Sequence, residues 1–176
     1  MPADASGSRA TPSGTRELTL HIGVTEIPYA FDRPIKDIKG FSRTKAMKSR
    51  TAKSITTGEV AQILEDEYGL FSVFERVHRQ DIADALAESV NGALESLLMG
   101  QSVDPWGAGT QVIDQMFRDW INSGESEKAG MAGVPTKAAL AGVNHRLSHP
   151  YARRNPRRPS FRDTGLLSAS LKSFVD

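Results

Sequence analysis

The stretch from Leu70 to Gly100 constrains the rest of the chain more than any other. It reads LFSVFERVHRQDIADALAESVNGALESLLMG. Apolar or small residues return at Phe71, Phe74, His78, Ile82, Ala85/Leu86, Ser89/Val90, Ala93/Leu94 and Leu97/Leu98. That is a helical period and not a strand period. No proline interrupts it, and Gly100 stands where a glycine ends a helix. Unbroken, it would span about 45 Å at about 1.5 Å per residue. A helix of that length exceeds what a small core needs, so its far end is expected to meet another element or another subunit. Its other face carries Glu75, Asp81, Asp84, Glu88 and Glu95.

The whole chain has 176 residues, enough for one domain with extensions, and no cysteine. Disulfides, cysteine nucleophiles and thiolate metal sites are therefore excluded. No apolar run reaches the ~20 residues of a membrane span, and the first residues lack the apolar segment of a secretory signal. The expectation is a soluble protein, intracellular when synthesised. The net charge of +1 hides segregation. Residues 1–56 hold ten basic and five acidic side chains, residues 57–127 three and fourteen, and residues 128–176 nine and two. Basic ends can fold onto the acidic middle of the same chain or of a neighbour.

Residues 1–16, rich in Ser, Thr, Gly, Ala and Pro, are expected to be disordered. A single domain over 17–176 should follow. Glu17–Gly23 alternates Leu18, Leu20 and Ile22 with Thr19 and His21, the pattern of a half-buried strand. Residues of about 25–55 hold eight basic side chains between Arg33 and Lys53 without an apolar period, and read as a basic arm. Thr56-Thr57-Gly58-Glu59 fits a capping box opening a short helix that ends near Gly69. From Thr110 to Ser123 an apolar stripe of Val112, Ile113, Met116, Phe117, Trp120 and Ile121 predicts an amphipathic helix against the long one. Thr136 and Asp163 are candidate caps of two further short helices. Residues of about 148–162, with three Pro and five Arg, read as an extended arm. Ser170–Val175 reads as a closing strand able to pair with the first.

Several motifs admit a chemical reading. Asp81, Asp84, Glu88 and Glu95, on one helical face, could hold a hard cation or act as acid and base. A solvated face or a subunit contact is the preferred reading, because exposed helix faces are normally charged. His145 and His149 have zinc-like spacing, but Ser148 and Pro150 disfavour a helix through them and no acid lies nearby in sequence. His21 and His78 are read as satisfied core or interface residues. Gly107-Ala108-Gly109 precedes a helix, yet matches no phosphate-loop spacing and reads as a turn into that helix. No nucleophile motif and no zinc-protease motif occurs, so no enzyme, cofactor or metal is expected. Arg153, Arg154, Arg157, Arg158 and Arg162, with Lys36 through Lys53, could instead clamp phosphates. Docking on acidic helices of adjacent subunits is preferred, since a middle of net −11 nearly offsets flanks of net +5 and +7.

The C-terminal third carries a more specific pattern. Gly142-Val143-Asn144-His145-Arg146-Leu147 is followed by His149-Pro150-Tyr151-Ala152. Asn155-Pro156-Arg157-Arg158-Pro159-Ser160-Phe161 and Asp163-Thr164-Gly165-Leu166-Leu167-Ser168-Ala169-Ser170-Leu171 come next. Over about 45 residues this resembles the end of tail-completion and head–tail connector (neck) proteins of tailed bacteriophages. There an Arg-Pro-x-Phe-like stretch leads through Asp-Thr-Gly into a short helix and a closing strand. The long basic segment before the first helix is not part of the usual small core of that group. The resemblance implies a non-enzymatic virion protein of the neck, assembled in the host cytoplasm. It implies a homo-oligomeric ring, sixfold or twelvefold, whose lumen passes DNA without reading its sequence. Its neighbours would be a portal or adaptor on one side and a tail terminator or tail tube on the other.

The fold expected is α+β: a small antiparallel sheet from the terminal strands, packed on one long helix and a second amphipathic helix, with extended basic arms. Arg153, Arg154, Arg157, Arg158 and Arg162 would latch onto Asp81, Asp84, Glu88 and Glu95 of a neighbour. Leu166, Leu167, Leu171 and Phe174 would anchor the closing segment in the core. The alternatives are a sequence-independent DNA-binding protein using the basic arms and, more remotely, an enzyme using the helix carboxylates.

Overall fold

A computed structural model describes residues 18–29 and 55–176. The expected disordered start, residues 1–16, and residues 30–54 of the basic arm lie outside the described residues. Two strands, β1 (Leu20–Val24) and β2 (Leu171–Val175), pair antiparallel, with Leu20 opposite Val175 and Val24 opposite Leu171. The alternation seen in the sequence is what joins the two ends of the chain. Leu20, Ile22 and Val24 turn inward onto the core, and Leu171 and Ser173 do so from β2.

The expected arrangement of one long helix and one amphipathic helix is too simple. Among the described residues there are five α-helices: α1 (Thr57–Tyr68), α2 (Leu70–Leu98), α3 (Gly107–Ser123), α4 (Lys137–Leu140) and α5 (Leu166–Ala169). A 3-10 turn, Glu125–Lys128, follows α3. The two further short helices expected after Thr136 and Asp163 are present as α4 and α5, each a single turn. They are set by local chemistry: the Thr136 hydroxyl caps Ala139 N in α4, and Gly165, not the expected Asp163, precedes α5. Helix α1 opens with the expected capping box, Thr56 Oγ1 accepting from Glu59 N and Glu59 Oε2 from Thr56 N.

Helix α2 is not unbroken. His78 leaves helical geometry (φ −106°, ψ 17°), although neither Pro nor Gly is near. There the imidazole packs on Phe74, ring centres 4.9 Å apart, and on Trp120 at 6.2 Å, while Nδ1 bonds Asp81 Oδ2 at 3.0 Å. The start of α2 is capped from α1: the Glu65 carboxylate accepts from Phe71 N at 2.7 Å and from the Ser72 hydroxyl.

The core lies between the first half of α2, α3 and the inner face of the sheet. Leu70, Phe74, Ile113, Phe117 and Ile121 are fully enclosed, and Phe74 meets Phe117 edge-on at 4.4 Å. Gly109, expected in a turn, lies inside α3. A Cβ there would stand 2.9 Å from Ala85 O and 3.1 Å from Ser89 Cβ, so it sets how closely α3 approaches α2. A buried polar bond ties α3 to the sheet, with Ser173 Oγ 2.6 Å from Asp114 Oδ1 and 2.9 Å from Thr110 O. Arg118 of α3 donates to Ser168 O and Leu171 O and so holds the join of α5 and β2.

Candidate subunit interface

Of the four expected core anchors, Leu167 and Leu171 are buried and Leu166 is half-buried. Phe174 is not a core anchor: it is 53% exposed. Strand periodicity explains this, since residues 171 and 173 face the core and 172 and 174 face out. Phe174 stacks instead on its cross-strand partner His21 (4.7 Å, 11°), whose Nε2 lies 3.0 Å from Asp176 Oδ1. His21 therefore lies on the outer face of the sheet.

The Arg/Pro-rich segment is not an extended arm. It is a series of turns lying on its own body. Arg158 N donates to Ala139 O at 3.3 Å. The fully buried Ser160 accepts from Thr136 N at 3.0 Å and donates from its N and Oγ to Glu127 Oε1 at 2.9 and 2.8 Å. Phe161 meets Tyr68 edge-on at 5.3 Å. Gly142, at φ +67°, lies so close to this segment that a Cβ would stand 2.5 Å from Asn155 O.

This folding divides the five arginines. Arg157 pairs with Glu127 of its own chain. Arg158 is spent on carbonyls, donating to Val143 O, to Pro159 O at 3.1 Å and to Arg162 O at 2.8 Å, with Asp163 3.9 Å away. The side chains of Arg153, Arg154 and Arg162 are exposed and make no hydrogen bond or ion pair among the described residues. The latch expected of all five therefore rests on these three.

The acidic face of α2 divides in the same way. Asp81 and Asp84 are engaged locally, Asp81 by His78 and Asp84 Oδ1 by Gln80 Nε2 at 2.9 Å. The carboxylates of Glu88 and Glu95 are exposed and without a partner among the described residues. His145 has both ring nitrogens occupied: Nδ1 lies 2.5 Å from Asp163 Oδ2 and Nε2 3.0 Å from the Tyr151 hydroxyl. A carboxylate only accepts, so Nδ1 carries a proton, and in the neutral ring Tyr151 donates to Nε2. His149 takes no part in that arrangement. Among the described residues no group of three or more His, Asp and Glu is placed to hold a metal ion, and no helix is long and apolar enough to cross a membrane.

The feature that sequence reasoning located only in outline is the end of α2. Ser89 Oγ bonds Pro105 O at 2.8 Å, and Gly109 sits against Ala85–Ser89. The nine residues Val90–Leu98 thus run past the start of α3 by roughly 13 Å at about 1.5 Å per residue. Among the described residues only the returning loop accompanies them. Leu94, Leu97, Leu98, Met99 and Val103 are all exposed there, Leu98 by 90% and Met99 by 81%. Comparison of the chain with known proteins finds no matching family model, no matching curated protein and no matching solved structure.

Proposed function

We propose that the protein is a ring-forming structural subunit of a tailed-phage neck, a head–tail connector or tail-completion protein that passes DNA through its lumen. One observation carries the reading: an apolar helix end that projects from a core it does not help to build. Single exposed leucines are ordinary, but five apolar side chains gathered at one projecting tip mark a surface that other protein covers. The resemblance of residues 142–171 to the end of neck proteins supports the particular setting, and so does the segregation of charge. The side chains of Arg153, Arg154 and Arg162, without a partner among the described residues, are then available to a neighbouring copy. The subunit needs no reaction of its own, and its location would be the neck of the virion.

The test is the particle mass of the full chain as a function of concentration and salt, with a DNA-retardation series alongside. The expected result is a discrete ring that dissolves at high salt, with little DNA affinity in the single copy. A Leu94→Ser, Leu98→Ser double variant should remain monomeric at concentrations where the parent assembles. A parent chain that stays monomeric throughout, or one that retards duplex DNA with a steep salt dependence as a monomer, overturns the reading in favour of a DNA-binding protein.

A further inference from the structure

A cleft of about 530 Å³ opens where α3 ends, between the 3-10 turn, the loop at Pro135 and the Arg157–Pro159 strip. Pro135 and Pro159 wall it, and three cations line it: Lys128, Arg157 and Arg158. The one carboxylate in the lining, Glu127, is already saturated, with Oε1 taking both donors of Ser160 and Oε2 taking Arg157. The carbonyls around Arg158 take its Nε and Nη1 donors without cancelling its charge, and Asp163 at 3.9 Å offsets part of it. The Lys128 side chain is exposed and has no hydrogen bond or ion pair among the described residues. The cleft therefore keeps an unspent positive charge, carried by Lys128.

Its counterpart lies at the other end of the molecule. Glu88 and Glu95 are the two carboxylates of the α2 ridge without a partner among the described residues, seven residues and so roughly 10 Å apart on one helical face. Glu88 stands at the level of Gly109, in the first turn of α3, and the cleft stands at Ser123 and Gly124, where α3 ends. That separation is roughly 21 Å along α3 at about 1.5 Å per residue. Glu95 lies farther out, on the projecting tip. Glu88 and Glu95 thus cannot reach Lys128 in one copy but can do so between two.

We infer that the Lys128 cleft receives the Glu88 and Glu95 carboxylates of a second copy of this chain. The inference rests on the ring reading and deepens it. Donor and acceptor are different surfaces at opposite ends of α3, so the contact is head-to-tail, and such contacts close into rings when the rotation permits. The apolar tip and the acidic face enter the neighbour together, so an ion pair there is shielded from water more than a surface pair would be.

The test is a charge swap in the full chain, read as the concentration at half assembly. Lys128→Glu should raise it about tenfold or more, as should Glu88→Lys with Glu95→Lys, and the triple variant should return to within about threefold of the parent. Lys128→Ala, which leaves no new charge to disturb folding, should show an intermediate rise. If the parent assembles but Lys128→Ala and Lys128→Glu assemble as it does, or the triple variant shows no recovery, the inference fails while the ring stands. A Lys128→Ala variant that assembles normally but has lost retention of duplex DNA assigns the cleft to phosphate instead, and also overturns it. A parent that is monomeric at all concentrations removes the ring itself.

Discussion

The two halves of α2 share one helix and little else. From Leu70 to Ser89 it buries Leu70, Phe74, Ile82 and Ser89 against α3. From Val90 to Leu98 it buries no residue and exposes Leu94, Leu97 and Leu98. Composition does not separate them, since both repeat apolar residues at three and four. What separates them is the length of α3, which begins opposite Ala85–Ser89 and leaves the rest of α2 uncovered. A stripe in the sequence shows which face a helix would bury, and the length of its neighbour decides how much of that face is used at home.

The sharpest way to break the comparison is to weaken the buried half. Phe117 is fully enclosed between Phe71, Phe74 and Trp120. Phe117→Ala should cost about 3–5 kcal/mol of folding free energy, measured by urea denaturation of the single copy. A loss under about 1 kcal/mol would mean that the aromatic cluster is not the centre of the core.

The next effect in size tests whether the Arg/Pro-rich segment belongs to the folded body. Burial pushes the Glu127 carboxyl up, but the hydrogen bonds from Ser160 and the Arg157 charge outweigh that and leave its pKa below the ordinary glutamate value. A depressed folded pKa means stability that is fully present above the unfolded carboxyl's pKa and is lost as pH falls through the folded value. Glu127→Gln should cost about 1–3 kcal/mol at neutral pH and flatten the acid side of the stability curve. An unchanged curve would detach the segment from the core and restore the free arm that its composition suggests.

Much of this arrangement was legible from residue order. Alternation at Leu18–Ile22 and Ser170–Val175 gave the two pairing strands, Thr56 and Glu59 gave the start of α1, and the stripe from Val112 to Ile121 gave α3. The rest depended on partners distant in sequence. The break at His78 involves Trp120, and nothing local to residue 78 announces it. Phe174 is outward because register puts Ser173 inward onto Asp114, a polar pairing that hydropathy argues against. Arg157 and Arg158 looked free because Glu127 is thirty residues from Arg157, and because carbonyls, which leave no mark in a sequence, hold Arg158. The basic cleft has the same origin: the end of α3 and the Pro159 strip meet only in the folded chain.

A smaller change probes the boundary between the halves of α2. Gly109→Ala places a methyl 2.9 Å from the backbone oxygen of Ala85, which cannot swing aside as a side chain can. Overpacking of this kind costs about 1–3 kcal/mol, and the better helix propensity of alanine returns about 1 kcal/mol. The net should be a modest loss in the thermal midpoint. A gain would show that α3 stands off from α2 at this point and that the uncovered tip begins earlier than Val90.

The smallest effect is the one that separates the halves most cleanly. Leu98 is 90% exposed, so Leu98→Ala removes almost no contact from the single copy. Its folding free energy, measured at a concentration below assembly, should change by no more than about 0.5 kcal/mol. The same substitution should raise the concentration at half assembly, because the side chain it deletes would be buried only in a neighbour. Equal losses in both measurements would mean that the tip folds back onto its own chain. No change in either would make the tip a bare surface that nothing covers. Only the split result, stability kept and assembly weakened, assigns the far half of α2 to a second copy.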